Sequence, residues 1–253
     1  MTPYYQDEWV TLYLGDCREV EVRAEVDLVV ADPPYQQTSL AWDRWQDGWP
    51  KAILGNSLWC FGSLRMFMDR AAEFVGGRWR LSQDIIWRKH NGSSFHADRF
   101  RRVHEQVAHF YRGPWEGVFR LPVTTPDATK RTVRRKARPN HMGYVGDQFY
   151  TAQDGGPRLQ RSVIEVRSEH GRAVHPTQKP LGILTPLIEY GCPEGGTVFD
   201  PFTGSGSTLL AGRLLGRRSI GVEADESYCE IAARRLSQEV LDLSAESHSV
   251  ANQ

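Results

Sequence analysis

Short apolar runs, each stopping at a turn or charged residue, recur along this chain and restrict its fold more than any other feature. Val10-Thr11-Leu12-Tyr13-Leu14 stops at Gly15-Asp16, and Val26-Asp27-Leu28-Val29-Val30 stops at Ala31-Asp32-Pro33-Pro34. Similar runs at 58–61, 84–87, 106–111, 197–199 and 219–222 end at Gly62, Arg88, Arg112, Asp200 and Glu223. Runs this short and this apolar read as strands buried on both faces. Helical periodicity fits between them at 64–75, 181–190, 205–215 and 227–241, with Gly76-Gly77 and Gly216 as stop signals. Strands alternating with helices in this way predict an α/β fold: a mostly parallel sheet with helices on both faces.

The stretch 114–174 breaks the rhythm. It is rich in Pro, Gly, Thr and Arg, contains Lys130-Arg131-Thr132-Val133-Arg134-Arg135-Lys136-Ala137-Arg138, and reads as an inserted lobe. The flanking segments, 1–113 and 175–253, then form one domain, whose polar end at 244–253 is expected to fray. The formal net charge of zero hides a partition. Residues 78–174 carry 19 Lys+Arg against 9 Asp+Glu, and the remainder carries 12 against 22. A basic middle between acidic ends points to a polyanionic partner that the overall balance conceals. The chain is 40% apolar, too much for disorder, and no apolar run approaches the roughly 18 residues of a membrane span. The first residues lack a signal-peptide layout. Cys17, Cys60, Cys192 and Cys229 lie far apart, which argues for reduced thiols in a cytosol rather than a disulfide or zinc framework.

Two motifs carry chemistry. In Phe199-Asp200-Pro201-Phe202-Thr203-Gly204-Ser205-Gly206 a strand end passes through glycines into a helix. Glycines let backbone approach a ligand closely, and the helix start presents unpaired N–H groups. Glu223 ends the next strand at about the spacing at which an acid reaches ribose hydroxyls. The position three after Gly206 is Leu209, so the dinucleotide fingerprint is incomplete. A nucleoside cofactor without pyrophosphate, such as S-adenosyl-L-methionine, does not need it. The second motif is Asp32-Pro33-Pro34-Tyr35, a carboxylate followed by stiff extended backbone and an aromatic face. A strand-ending turn with a solvated acid does not explain the aromatic after Pro-Pro where α/β folds bind their ligands.

Asp-Pro-Pro-Tyr resembles the catalytic tetrad of the amino-group DNA methyltransferases, most often those acting on adenine N6. The tetrad lies near the amino end, Phe202-x-Gly204-x-Gly206 near the carboxyl end, and a basic region between them, which resembles the β motif order of that family. His175-Pro176-Thr177-Gln178-Lys179-Pro180 is similar to the family's motif for the methionine end of the cofactor, and Leu14-Gly15-Asp16 to the strand-end acid that meets its adenine. The likeness covers about 10–113 and 175–240 and leaves 114–174 unmatched.

The resemblance implies a Rossmann-like methyltransferase domain with an inserted target-recognition region. It implies a site-specific, restriction-modification type DNA methyltransferase that flips an adenine out of the duplex and methylates its N6 by direct attack. Asp32, Pro33, Pro34 and Tyr35 would be catalytic: Asp32 and the Pro33 carbonyl accept the amine's N–H groups, and Tyr35 stacks on the base. No metal and no cysteine nucleophile are required, so Cys17 and Cys60 are expected in the core. Asp200, Phe202, Gly204 and Gly206 would underlie S-adenosyl-L-methionine, with Glu223 on the ribose and Asp16 on the adenine amine. Thr177 and Lys179 would meet its carboxylate. Arg88, Lys89, Arg101, Arg102, Lys130, Arg131, Arg134, Arg135 and Arg138 would contact DNA, chiefly phosphates. Trp42 and Trp45 could line the base pocket or anchor a loop. DNA is the implied partner and the cytoplasm of a bacterial or phage-infected cell the implied location. A homodimer and a companion restriction endonuclease stay open, as do cytosine N4 as the target and, more remotely, RNA. A nicotinamide oxidoreductase is disfavoured by Leu209, and a catalytically silent DNA-binding module would need neither motif.

Overall fold

The structure is a computed structural model that describes residues 2–22, 24–36, 43–92, 97–135, 148–168 and 178–250. Trp42, Arg138, His175 and Thr177 lie outside the described residues. The chain forms two compact units, a larger one, Met1–Leu121 with Ser162–Gln253, and a smaller one, Pro122–Arg161.

In chain order the larger unit begins with β1 (Tyr5–Gln6), β2 (Val10–Leu14), β3 (Leu28–Ala31), α1 (Trp49–Ala52), β4 (Ser57–Gly62), α2 (Leu64–Gly76), β5 (Arg80–Arg88) and β6 (His104–Tyr111). The smaller unit holds β7 (Thr124–Thr125), β8 (Arg131–Arg135), β9 (Gln148–Ala152) and β10 (Arg158–Leu159). The larger unit resumes with β11 (Val163–Glu165), α3 (Leu181–Gly191), β12 (Thr197–Asp200), α4 (Ser207–Leu214), β13 (Arg218–Glu223) and α5 (Glu226–Val250).

Among the described residues, nine strands form one sheet in the order β1-β2-β13-β12-β3-β4-β6-β5-β11. Only β1 and β6 run against the rest. Alternation along β3 shows why both faces must be covered: Leu28 and Val30 belong to one apolar cluster, Val29 and Ala31 to another. The first cluster takes in Ile183, Leu184, Leu187 and Ile188 of α3 and Ala211 of α4. On the opposite face pack Trp49 of α1 and Met66 and Phe74 of α2. A third cluster seats Cys229, Ala232 and Leu236 of α5 with Leu209 and Leu210 of α4 on Val10 and Leu12 of β2. The α/β architecture expected from the alternating runs is the one observed.

Three features differ from expectation. The reversal of β6 goes with the absence of a helix among the described residues between Trp87 and Gln106, since a parallel return needs a crossover. The compact smaller unit is narrower than 114–174, because Val163-Ile164-Glu165 pairs in parallel with Ile86-Trp87-Arg88 and buries Ile164 in the main sheet. Finally, α5 continues past Leu241 to Val250, through a stretch with no Pro or Gly to stop it. Within the smaller unit, β7 pairs with β10, and β8 with β9 from Arg131↔Ala152 to Arg135↔Gln148.

Candidate active site

The two motifs leave neighbouring strands at the same sheet edge. Val198 and Phe199 of β12 pair with Leu28 and Val29 of β3. From this pair the chain proceeds outward in opposite directions, β3 to β4 and β12 to β13. Such a switch point opens a crevice beyond the carboxyl ends of the strands. Asp32 follows β3 into it and Asp200 ends β12 beside it. The glycine turn is built on left-handed backbone, φ 51° at Gly204 and 81° at Gly206, the latter capping α4. Glu223 fastens the turn to β13: the Gly204 N–H donates to Glu223 Oε2 at 2.8 Å and the Asp225 N–H to Oε1 at 2.9 Å.

A cavity of about 370 Å³ occupies the crevice, and its wall includes Asp16, Asp32, Lys179, Asp200, Phe202 and Glu223. Pro34 and Gly204 line it too, so eight of the residues singled out in the sequence meet there. Gly206 does not line it. It lies behind the turn, where an added Cβ would stand 3.2 Å from the Cβ of Ala232. Pro33 and Tyr35 also stand outside the lining, but the Tyr35 hydroxyl donates to Asp32 Oδ1.

Charge is concentrated at this edge. Lys179 pairs through its ammonium with Asp32 Oδ2 and lies 3.6 Å from Glu105 Oε2, while Lys89 pairs with Glu105 Oε1. Burial alone would drive Lys179 to lose its proton, but Asp32 and Glu105 raise it above the ordinary lysine value. Burial pushes Asp200 up to about 7, against hydrogen bonds from Thr208 and the Phe202 N–H. Glu223 is raised by burial as well, whereas hydrogen bonding to Arg18 keeps Asp16 below the usual carboxylate range. Cys17, on the cavity wall, is pushed to about 12 by burial, which keeps its thiol protonated. Glu105 went unmarked in the sequence. Its one signal there is an acid opening the apolar run 106–111 within a basic stretch.

The basic residues separate into kinds. Arg88 is exposed and pairs with Glu165 at 3.2 Å. Lys89 is only 14% exposed, spent on Glu105 and stacked 4.6 Å above the Trp87 ring. Arg101 is exposed, and Arg102, half-buried, donates to the His104 carbonyl at 3.1 Å. In the smaller unit Lys130 and Arg131 are exposed, and Arg134 and Arg135 lie on β8. Trp45 is buried against Trp49 and Phe74 and donates to Glu73 at 2.8 Å, which makes it a loop anchor.

The profile of the N6/N4 DNA methylase family matches residues 26–234. The chain belongs to that family. This methylase is 27% identical to the type II methyltransferase M.ScaI of Streptomyces caespitosus over 95% of its own length and 86% of the relative's. It is 26% identical to the type II methyltransferase M.HinfI of Haemophilus influenzae, over 89% and 68%. Two solved structures share its fold. The M1.HpyAVI–SAM complex superposes with a TM-score of 0.60 at 22% identity, covering 90% of the methylase and 99% of that chain. The cytosine-N4-specific PvuII DNA methyltransferase does so with 0.60 at 14%, covering 91% and 87%. The methyl donor of the methylase is S-adenosyl-L-methionine. The cavity suits it: the volume falls in the roughly 300–1,000 Å³ range of small-molecule sites. The wall offers acids for hydroxyl and amine groups, the Phe202 ring and the Lys179 cation.

Proposed function

We propose that this DNA methyltransferase methylates the N6 amine of an adenine extruded from the duplex. One observation carries the reading: the Asp32 carboxylate and the Gly204–Glu223 turn line the same cavity. S-adenosyl-L-methionine supplies an electrophilic methyl group on a sulfonium sulfur. Around it, Asp200, Phe202 and Gly204 form the floor, Gly206 shapes the turn from behind, Glu223 takes the ribose hydroxyls and Asp16 the adenine amine. Lys179 has three N–H donors. Asp32 engages one and Glu105 Oε2 only faces the ammonium at 3.6 Å, which leaves a donor for the cofactor's carboxylate. Thr177 is the second residue assigned to that carboxylate.

An exocyclic amine is a weak nucleophile because its lone pair is delocalised into the ring. Asp32 and the Pro33 carbonyl accept its two N–H groups and draw the nitrogen toward a tetrahedral shape. As the nitrogen gains its methyl, the methyl's bond to sulfur breaks with its electron pair left on the sulfur, now a neutral thioether. The nitrogen becomes cationic, and a fixed carboxylate favours that state over the neutral amine. The surplus proton then leaves to solvent. Tyr35, held by its bond to Asp32, presents the face on which the base stacks. Extrusion costs a few kcal/mol, offset by contacts to the flanking strand. Arg88, Arg101, Arg102, Lys130, Arg131, Arg134, Arg135 and Arg138 contact the DNA. Lys89, engaged by Glu105, is left out of that set. Adenine is preferred to cytosine because the tetrad opens with Asp.

Nucleoside mass spectrometry on DNA from cells expressing the chain tests this reading, beside Asp32→Ala. N6-methyladenine is expected from the wild type. The variant should lose about 10²–10³-fold or more in rate while still binding cofactor. N4-methylcytosine instead would overturn the base assignment, and joint loss of transfer and cofactor binding would overturn the role of Asp32.

A further inference from the structure

Glu105 is a buried charge for which the transfer reaction, as described, has no use. It enters at the start of β6, opposite Trp87 of β5, and its side chain is 13% exposed. One oxygen is taken by Lys89. The other, Oε2, has no hydrogen-bond partner among the described residues and faces Lys179 at 3.6 Å. Lys179 in turn is 8% exposed and paired with Asp32. Four charges therefore alternate in sign away from the cavity: Asp32, Lys179, Glu105, Lys89. Arg102 also acts on Glu105, in the same sense as the lysines.

The order of signs matters because transfer creates positive charge. Asp32 favours a cation at the amine it holds, but Lys179 is attached to that same carboxylate. An unbalanced ammonium there would oppose the growing charge in a site where little water screens it. We propose that Glu105 is a positioning residue of the transfer: it neutralises Lys179 and keeps it in place, so the amine meets a net-attractive Asp32. Lys89 anchors Glu105 from its far side. Supporting this, the lysines hold Glu105 below the ordinary glutamate value although burial pushes the other way. The proposal rests on Asp32 as the acceptor of the amine.

Single-turnover transfer at saturating DNA and cofactor, with cofactor binding measured separately, tests it. Glu105→Gln preserves shape and removes the charge. It should slow transfer about 10²-fold without weakening cofactor binding. Adding Lys89→Met to that variant removes the cation left without a counter-charge and should recover about tenfold of the rate. A carboxylate needed only for packing would predict the reverse, with the second buried substitution slowing the enzyme further. Weakened cofactor binding in Glu105→Gln, or a double variant no faster than the single one, would overturn the proposal. Asp32→Asn separates the two readings. If Asp32→Asn is inactive and Glu105→Gln keeps the wild-type rate, the role of Glu105 alone falls. If Asp32→Asn keeps transfer, the amine-acceptor reading falls first.

Discussion

Asp200 gives the clearest single-residue consequence of burial. Its carboxyl is held near 7 against an ordinary 3.8, with burial the main cause. The folded chain therefore binds more protons there than the unfolded chain between these values. Its contribution to stability is full below the lower value and is lost as pH rises through the upper one. Asp200→Asn keeps an acceptor for the Phe202 N–H, 3.0 Å away, but cannot ionise. The gap in melting temperature between variant and wild type should thus widen in the variant's favour from about pH 5 to about pH 8. A gap that does not change with pH would mean the carboxyl is hydrated. At this scale the sequence was informative where backbone chemistry forces a position: Asp32 before two prolines, Glu223 at a strand end, and the glycine turn all reached the cavity wall. It was silent on Glu105, which gains its meaning from Lys179, 74 positions away, and on the pairing of Lys179 with Asp32 across 147.

Among elements, the turn into α4 bears the greatest constraint. Gly206 holds φ 81°, where a Cβ is strained whatever the space, and that Cβ would also press on Ala232 at 3.2 Å. Gly206→Ala should cost about 1–2 kcal/mol of unfolding free energy from left-handed backbone alone. It should also weaken cofactor binding, because the turn it shapes is the one Glu223 grips. Denaturant unfolding and cofactor titration measure the two effects separately. A capping loss is expected at α2, where Ser63 Oγ accepts from the Met66 N–H at 3.1 Å. Ser63→Ala should cost about 1 kcal/mol in the same unfolding assay and leave cofactor affinity alone. The seven apolar runs all appeared as strands, most of them covered on both faces, which needs continuous apolar sequence. The run 84–87 on β5 departs from this, with Asp84 exposed and Ile85 and Ile86 half-buried. Pieces such as β1 and β7 to β11 carry no such requirement; β1 pairs locally with β2, and β7 to β11 find partners farther off in sequence.

Over the whole molecule, a zero net charge coexists with a basic middle and acidic ends. If the proposed DNA contacts hold, affinity should fall steeply with salt, and reversing Arg131, Arg134 and Arg135 to Glu should flatten the log–log slope by about 0.9 per lost phosphate contact. A slope equal to that of the wild type would move the contacts elsewhere. That partition was legible from counts alone, but the extent of the compact unit 122–161 was not, since it depended on Val163–Glu165 finding β5. The four buried, unpaired thiols have a practical consequence of their own. Cys17 and Cys60 report on one apolar cluster, Cys192 on the cluster across the sheet, and Cys229 on the third beneath α5. Cys17 also lines the cavity, where a disulfide reagent can meet it. The other three can be modified only when their surroundings part, so the order in which they react, resolved by peptide mass, times the opening of each core layer under native conditions.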